Sequence, residues 1–359
     1  MTDLLLPDLP DVLAARRALE GVVVRTPVLR SDALDQLTGA RLFFKAEGLQ
    51  ITGSFKVRGA YNRIRSLSPA EMAAGLITVS AGNAALGAAW AARAAGARLV
   101  VVMPENAVPE KLAGVAALGA RIEKEGITNA TQAFERLDRL RQEHGYTLVH
   151  PFDDPFVIAG AATATWELLE DAPDLEALAI PCSGGGLLSG ALLAARGLAP
   201  AVPVHGVQPA GADGIVRSLA AGRPTAPERV QTVADGLTAP KPGVLNFELI
   251  RRWAADVFTV TDEAILEAMG LILRHLKVIV EPAAATALAG VLADERFRGR
   301  RVGVLLSGSN TSAERVREVL GAETHEARVR HLIGSLDTGV PDLAENHRFH
   351  VLESIKHGR

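Results

Sequence analysis

The chain alternates two rhythms of apolar residues. Short apolar runs, among them Leu42-Phe43-Phe44, Leu76 to Val79, Leu99 to Met103, Leu178 to Pro181, Val204 to Val207, Val257 to Val260 and Val302 to Leu306, read as strands buried on both faces. Arg121 to Glu123 and Thr147 to Val149 continue the series as shorter strands. Helical spacing between the runs predicts helices over Val12 to Leu19, Asp32 to Leu37, Ala84 to Ala95, Pro109 to Leu118, Thr128 to Glu143, Val157 to Leu169, from Leu187, Asp262 to His275 and Pro282 to Leu292. Pro109 and Pro282 stand in the first turn of theirs, where a missing N–H costs nothing. Apolar strands alternating with helices predict α/β architecture, with mostly parallel sheets flanked by helices on both faces. A new block opening at His150 makes two such domains the expectation. Ligands of such sheets bind at the carboxyl ends of the strands.

Composition narrows the class. A chain of 359 residues with 48% hydrophobic and 22% charged content is long enough for a large core and too apolar to be disordered. Lysine and arginine number 38 against 41 aspartates and glutamates, a net charge of −3 with no long run of one sign, so no nucleic-acid or membrane-surface partner is expected. No apolar stretch reaches membrane-spanning length without charge or proline, and Met1 to Pro7 lacks the plan of a signal peptide. The single cysteine, Cys182, excludes an internal disulfide framework and fits a reducing, cytoplasmic setting. A small-molecule ligand is the expected partner.

Candidate chemistry centres on Gly53-Ser54-Phe55-Lys56-Val57-Arg58-Gly59-Ala60, which follows one apolar run and opens a helical pattern. Lys56 then falls in the first turn of a helix, where unpaired amides carry partial positive charge, and Arg58 adds more of that sign. Both effects push the amine toward the neutral, nucleophilic form that Schiff-base chemistry needs. Taken alone, the octapeptide reads as a solvated lysine on an amphipathic helix; the loops elsewhere change that. Val79-Ser80-Ala81-Gly82-Asn83 offers small residues and helix-start amides to a carboxylate. Pro181-Cys182-Ser183-Gly184-Gly185-Gly186-Leu187 lets several N–H groups converge on one phosphate. Leu305-Leu306-Ser307-Gly308-Ser309-Asn310 offers a hydroxyl with room around it. Neither a dinucleotide nor a P-loop fingerprint occurs, so a monophosphate is expected.

A reactive lysine, one phosphate cradle and a carboxylate loop describe an amino acid bound to pyridoxal phosphate. Here the chain resembles the fold-type II pyridoxal-phosphate enzymes of the threonine/serine dehydratase and serine racemase group, over residues 10 to 320. The motifs that carry the resemblance are the octapeptide, Ser80-Ala81-Gly82-Asn83, His150-Pro151-Phe152-Asp153-Asp154-Pro155, Ser183-Gly184-Gly185-Gly186-Leu187, Ala234-Asp235-Gly236-Leu237, Glu281-Pro282 and Ser307-Gly308. The resemblance implies a tryptophan synthase β-like fold. Residues 1–68 and 150–322 would form a large cofactor domain, 69–149 a small domain with the carboxylate loop, and 323–359 a C-terminal extension. It implies that Lys56 carries the cofactor covalently and later moves the α-proton, with Ser80 as a second catalytic residue. Asn83 would bond the phenolic oxygen, Ser183, Gly184, Gly185, Gly186 and Leu187 the phosphate, and Ser307 the pyridine nitrogen. Phe55 would pack beside the ring, Gly236 and Glu281 would border it, and Ser80, Ala81, Gly82, Asn83 and Ala84 would hold the substrate. The activity implied is elimination of the β-hydroxyl of a threonine- or serine-type amino acid, by a homodimer.

Departures from that pattern refine the expectation. Ala84 and Leu86 replace more polar residues, which favours an apolar or bulky β-substituent. Gln208 and Gly214 stand where relatives place acidic residues near Asp213, so a divalent metal is doubtful and none is assigned. Ala81 replaces the serine of racemases and leaves no titratable group on the opposite face, so racemisation should be slow. Ser183 and Ser309 replace glycines. His150 reads as a structural histidine, and no zinc-spaced cluster occurs. The charged tail from Glu323, ending in Phe349, Val351, Leu352 and Ile355, reads as a dimer-facing helix or a partly disordered extension. Racemisation or β-replacement on the same cofactor is the alternative activity, and a non-catalytic cofactor-binding protein the second.

Overall fold

The structure, a computed structural model, describes residues 4–321 except 106, 108 and 129. The tail from Glu323, with Phe349 to Ile355, lies outside the described residues. Residues up to Ser312 form one compact unit. The helix Ala313–Gly321 belongs to a second and carries its own ion pair, Arg315 Nη1 to Glu318 Oε2 at 2.5 Å. No helix among the described residues is long and apolar enough to cross a membrane.

The first unit holds two sheets. The larger is built from β1 (Val28–Leu29), β2 (Arg41–Ala46), β7 (Ala177–Pro181), β8 (Val204–Pro209), β9 (Asp256–Val260) and β10 (Arg301–Leu306), in the order β1-β2-β10-β7-β8-β9. The smaller takes β3 (Leu76–Val79), β4 (Leu99–Val102), β5 (Arg121–Glu123) and β6 (Thr147–Leu148) from one continuous stretch, in the order β5-β4-β3-β6. Every pairing is parallel except β1 on β2. The wholly apolar strands follow from this: helices cover both faces, and β3, β4 and β7 are buried at every position.

Close helix packing positions the lysine. The helix Lys56–Arg65 is wedged between Asn83–Ala94 and Pro155–Asp171. A Cβ added at Gly87 would come within 2.9 Å of the Lys56 carbonyl carbon, and one at Gly160 within 2.6 Å of the Arg58 carbonyl oxygen. Only glycine lets these backbones touch. Behind that helix lies a buried ionic network. Arg58, fully buried, meets Glu47 through two bonds of 2.8 Å and Glu167 through bonds of 2.7 and 2.9 Å. Lys45 closes the group on Glu167 at 2.6 Å and on the Thr26 carbonyl at 2.6 Å. Two cations and two carboxylates compensate one another, which is what lets four charges stand in a core.

The sequence pattern misses the helices Pro69–Ala74, Gly214–Ala221 and Val244–Trp253. The last begins on Gly243 with no local side-chain cap; Asp153 supplies it from another part of the chain, accepting from Val244 N at 2.8 Å and Leu245 N at 3.1 Å.

Candidate active site

Lys56 begins its helix, as the spacing predicts, with its backbone tied to the end of β10 by the bond from Phe55 N to the Ser307 carbonyl at 3.1 Å. Its Nζ donates to the Pro151 carbonyl at 2.9 Å and lies 5.1 Å from the centre of the Phe55 ring. Part of the side chain remains accessible, yet enough protein surrounds the amine that burial lowers it to about 8, with Glu281 acting in the opposite direction. The sequence assigned this effect to the helix start and to Arg58. The structure turns Arg58 away into its pairs with Glu47 and Glu167, and burial is the main cause.

His150 lies beside the lysine and accepts on Nδ1 from Phe152 N at 3.2 Å and Asp153 N at 2.7 Å. Burial lowers it to about 4, so the ring is neutral and holds the turn that carries Pro151. It is a structural histidine, as the sequence suggests.

The same turn shapes the glycine loop. A Cβ at Gly184 would fall 2.7 Å from the Phe152 ring, and one at Gly185, where φ is +98°, 2.7 Å from the Asn246 Cβ. The helix Gly186–Leu198 that follows has no side-chain cap, so its first amides face outward with no side-chain acceptor of their own. A helix start of this kind suits an anion. Ser183 uses its hydroxyl to accept from Ala239 N at 2.9 Å, while the Leu187 side chain goes into the core and leaves only its amide for a ligand.

Asn83 and Glu281 meet although far apart in sequence: Asn83 Nδ2 donates to Glu281 Oε1 at 2.7 Å. Glu281 opens the helix Pro282–Ala293 with Pro282 in its first turn, and it spends its carboxyl on Asn83 rather than on capping that helix. The carboxyl is 2% exposed, and burial raises it to about 7. Gly236 borders it: a Cβ added there would stand 3.8 Å from Oε1. Ser307 is 4% exposed beside the Lys56 helix.

In the carboxylate loop, Ser80 Oγ accepts from Gly82 N at 3.1 Å, and Gly82 leads into the helix Asn83–Ala94 with no side-chain cap. Ala81 and Gly82 are partly buried. Ala84 lines a small pocket with Lys56, Thr78 and His150. Leu86 instead turns to the next helix, its Cδ2 lying 3.0 Å from where a Gly114 Cβ would stand. At the position weighed for a cation, Gln208 accepts from Ile215 N and Val216 N at 3.1 Å each, and Asp213 pairs with Arg217 at 2.7 Å.

Sequence reasoning missed Asn310, whose Nδ2 donates to Asn83 Oδ1 at 2.8 Å, and Asn246, whose Nδ2 donates to the Phe152 carbonyl at 3.0 Å. Asn310 stood in a loop already singled out, next to Ser309. Asn246 had no local signal.

The profile of the family described as pyridoxal-phosphate dependent enzyme matches residues 19–308. L-threonine ammonia-lyase of Thermotoga maritima is 39% identical over 87% of this chain and 78% of its own length. Phenylserine dehydratase of Ralstonia pickettii is 38% identical over 88% of this chain and 97% of its own. The crystal structure of serine racemase from Dictyostelium discoideum superposes with a TM-score of 0.79 at 37% identity, covering 85% of this chain and 99% of that one.

Proposed function

The chain belongs to the pyridoxal-phosphate dependent enzyme family, and we propose that within it the chain is an ammonia-lyase that converts a β-hydroxy amino acid to a 2-oxo acid and ammonia. The observation that carries this reading is the Lys56 amine lowered to about 8, in a site bounded by an uncapped helix start, a carboxylate loop and a buried acid. The residues present suit the cofactor. The helix start at Gly186 has no side-chain acceptor for its first amides, which suits a phosphate, and Phe152 and Asn246 pack so closely on Gly184 and Gly185 that no side chain fits there.

When bound, the cofactor supplies an electron sink for the substrate's α-carbon. Lys56 would hold it covalently and, once the substrate amine has displaced its Nζ, would take the α-proton there, a transfer favoured by an amine near the working pH. The amides after Ser80 would orient the substrate carboxylate, and Asn83 would donate to the phenolic oxygen. Ser307 would offer the ring nitrogen a neutral hydroxyl, which does not enforce a charged ring. The substrate loses an α-proton and a hydroxyl as water; the enamine released takes up one water to give the oxo acid and ammonium.

Ala84 beside Lys56 supports an apolar or bulky β-substituent, and Ala81, which cannot carry a proton, supports elimination over racemisation. The reading extends to residues 1–68 and 150–322 as the cofactor domain, 69–149 as the small domain, and a cytoplasmic homodimer. The test is a panel of serine, threonine, 3-phenylserine and 3-hydroxyaspartate assayed for oxo acid, with Lys56→Ala as blank. The largest kcat/KM is expected for the bulky apolar substrate. A strong preference for serine and threonine overturns the substrate class. Inverted amino acid, or incorporation of an added thiol, in place of oxo acid overturns the reaction, and normal cofactor binding with no turnover of any substrate makes the chain a binding protein.

A further inference from the structure

We infer that Asn310 is a positioning residue: anchored on the Thr52 carbonyl, it sets which end of the Asn83 amide faces the cofactor. The inference rests on the ammonia-lyase reading, in which Asn83 donates to the phenolic oxygen.

A primary amide is nearly symmetric in shape. Its oxygen and nitrogen ends are told apart only by partners that cannot exchange roles. The Thr52 carbonyl is such a partner, because it only accepts. Asn310 Nδ2 donates to it at 2.8 Å, which fixes the nitrogen end of Asn310. The second hydrogen of that Nδ2 goes to Asn83 Oδ1 at 2.8 Å, which turns the oxygen end of Asn83 toward Asn310. Asn83 Nδ2 therefore lies toward Glu281, gives one hydrogen to Oε1 at 2.7 Å, and keeps the other for a ligand. The polarity of the chain runs one way, from a backbone oxygen to a buried carboxyl. Were Asn83 reversed, it would present a lone pair to an oxygen, and the contact would change from attraction to repulsion.

The surroundings keep this chain in place. Gly53, with φ at +70°, leaves the space that Asn310 Oδ1 needs, and a Cβ at Gly308 would come within 2.5 Å of Glu281 Oε1. The residue before Asn310 is pinned by Ser309 N to the Gly53 carbonyl and by Ser309 Oγ to the Gly48 carbonyl, each at 2.8 Å. Two glycines of the recognised motifs thus have a shared reason: they clear room for the amide chain.

The test titrates cofactor-free protein with pyridoxal phosphate and follows the visible and near-ultraviolet bands of the bound cofactor, with melting of the cofactor-free protein as the control for folding. Asn310→Ala is expected to raise the dissociation constant about three- to tenfold, the loss of one orienting hydrogen bond, and to change the ratio of the two bands. Asn310→Asp, equal in size but unable to donate, is expected to do the same with packing preserved. In an Asn83→Ala background, Asn310→Ala is expected to add nothing, because the two act through one amide. Wild-type affinity and band ratio in both variants overturn the inference, as does an undiminished effect of Asn310→Ala in the Asn83→Ala background, which is what a merely structural role gives. If borohydride leaves no pyridoxyl group on Lys56 of the wild type, the reading of the site fails and the inference with it. A labelled Lys56 with indifferent Asn310 variants sinks the inference alone.

Discussion

Glu47 and Glu281 are both buried glutamates, at 0% and 2% exposure, and they shift in opposite directions. Burial alone would raise both. At Glu47 the charge and hydrogen bonds of Arg58 more than offset it, and the carboxyl is held below its ordinary value. At Glu281 the donor is the neutral amide of Asn83, and the carboxyl rises to about 7. The two cations divide in the same way. Arg58 has a carboxylate on each side, whereas Lys56 donates to the Pro151 carbonyl and falls to about 8. For the two glutamates depth does not decide the direction of the shift; the charge on the hydrogen-bond partner does, whereas the buried Lys45 is lowered by burial even beside Glu167. A network with its charges matched locks the helix, and its unmatched neighbours are left near neutrality, where protons move.

The largest effect expected of this contrast is that of Lys56→Ala. Oxo-acid formation should fall on the order of a thousandfold or more, while the cofactor-free protein melts near the wild-type temperature, because the amine removed was already held against its charge. An active variant would erase the distinction. Arg58→Met should do the reverse and act on stability first, since it strands Glu47 in the core. Urea unfolding of the cofactor-free protein should show a loss of about 3–5 kcal/mol, and a loss within error would mean that the ionic network is no scaffold.

Glu281→Gln should have a smaller effect, and one that depends on pH. A carboxyl raised from 4.5 to about 7 contributes stability that is present below its unfolded value and lost as pH rises through about 7. The variant should therefore match wild type in acid and exceed it above neutrality by on the order of 2 kcal/mol. Because Glu281 acts to raise Lys56, the midpoint for cofactor capture by the lysine should also move below about 8. A midpoint that moves upward would contradict the pairing. The smallest effect expected is that of a chelator. Gln208 is spent on Ile215 N and Val216 N, and Asp213 on Arg217, so melting and oxo-acid formation should not change; a drop would mean that a cation acts where neither charge network reaches.

Much of the architecture was legible because apolar periodicity is local. The strands β2, β3, β4, β7 and β10 and the helices Lys56–Arg65, Asn83–Ala94, Pro155–Asp171, Gly186–Leu198 and Pro282–Ala293 follow from spacing within a dozen residues. So do the three loops and the placement of Lys56 in a first turn, since small residues at strand ends announce themselves. The helix Val244–Trp253 was not legible, because Asp153 caps it from a distant part of the chain. The reason for the low Lys56 value was misread for the same cause: Arg58 is near in sequence, but its charge is answered by Glu47 and Glu167.

The sequence by itself thus determined most of the elements, the sheet class and the residues that open each loop, all of which depend on neighbours along the chain. Only the tertiary structure decided which charge stands beside which, and which end of Asn83 faces Glu281. Hydrogen bonds and Coulomb forces act over a few ångströms of space, and Thr52, Asn83, Glu281 and Asn310 enter that space from four separate stretches of the chain.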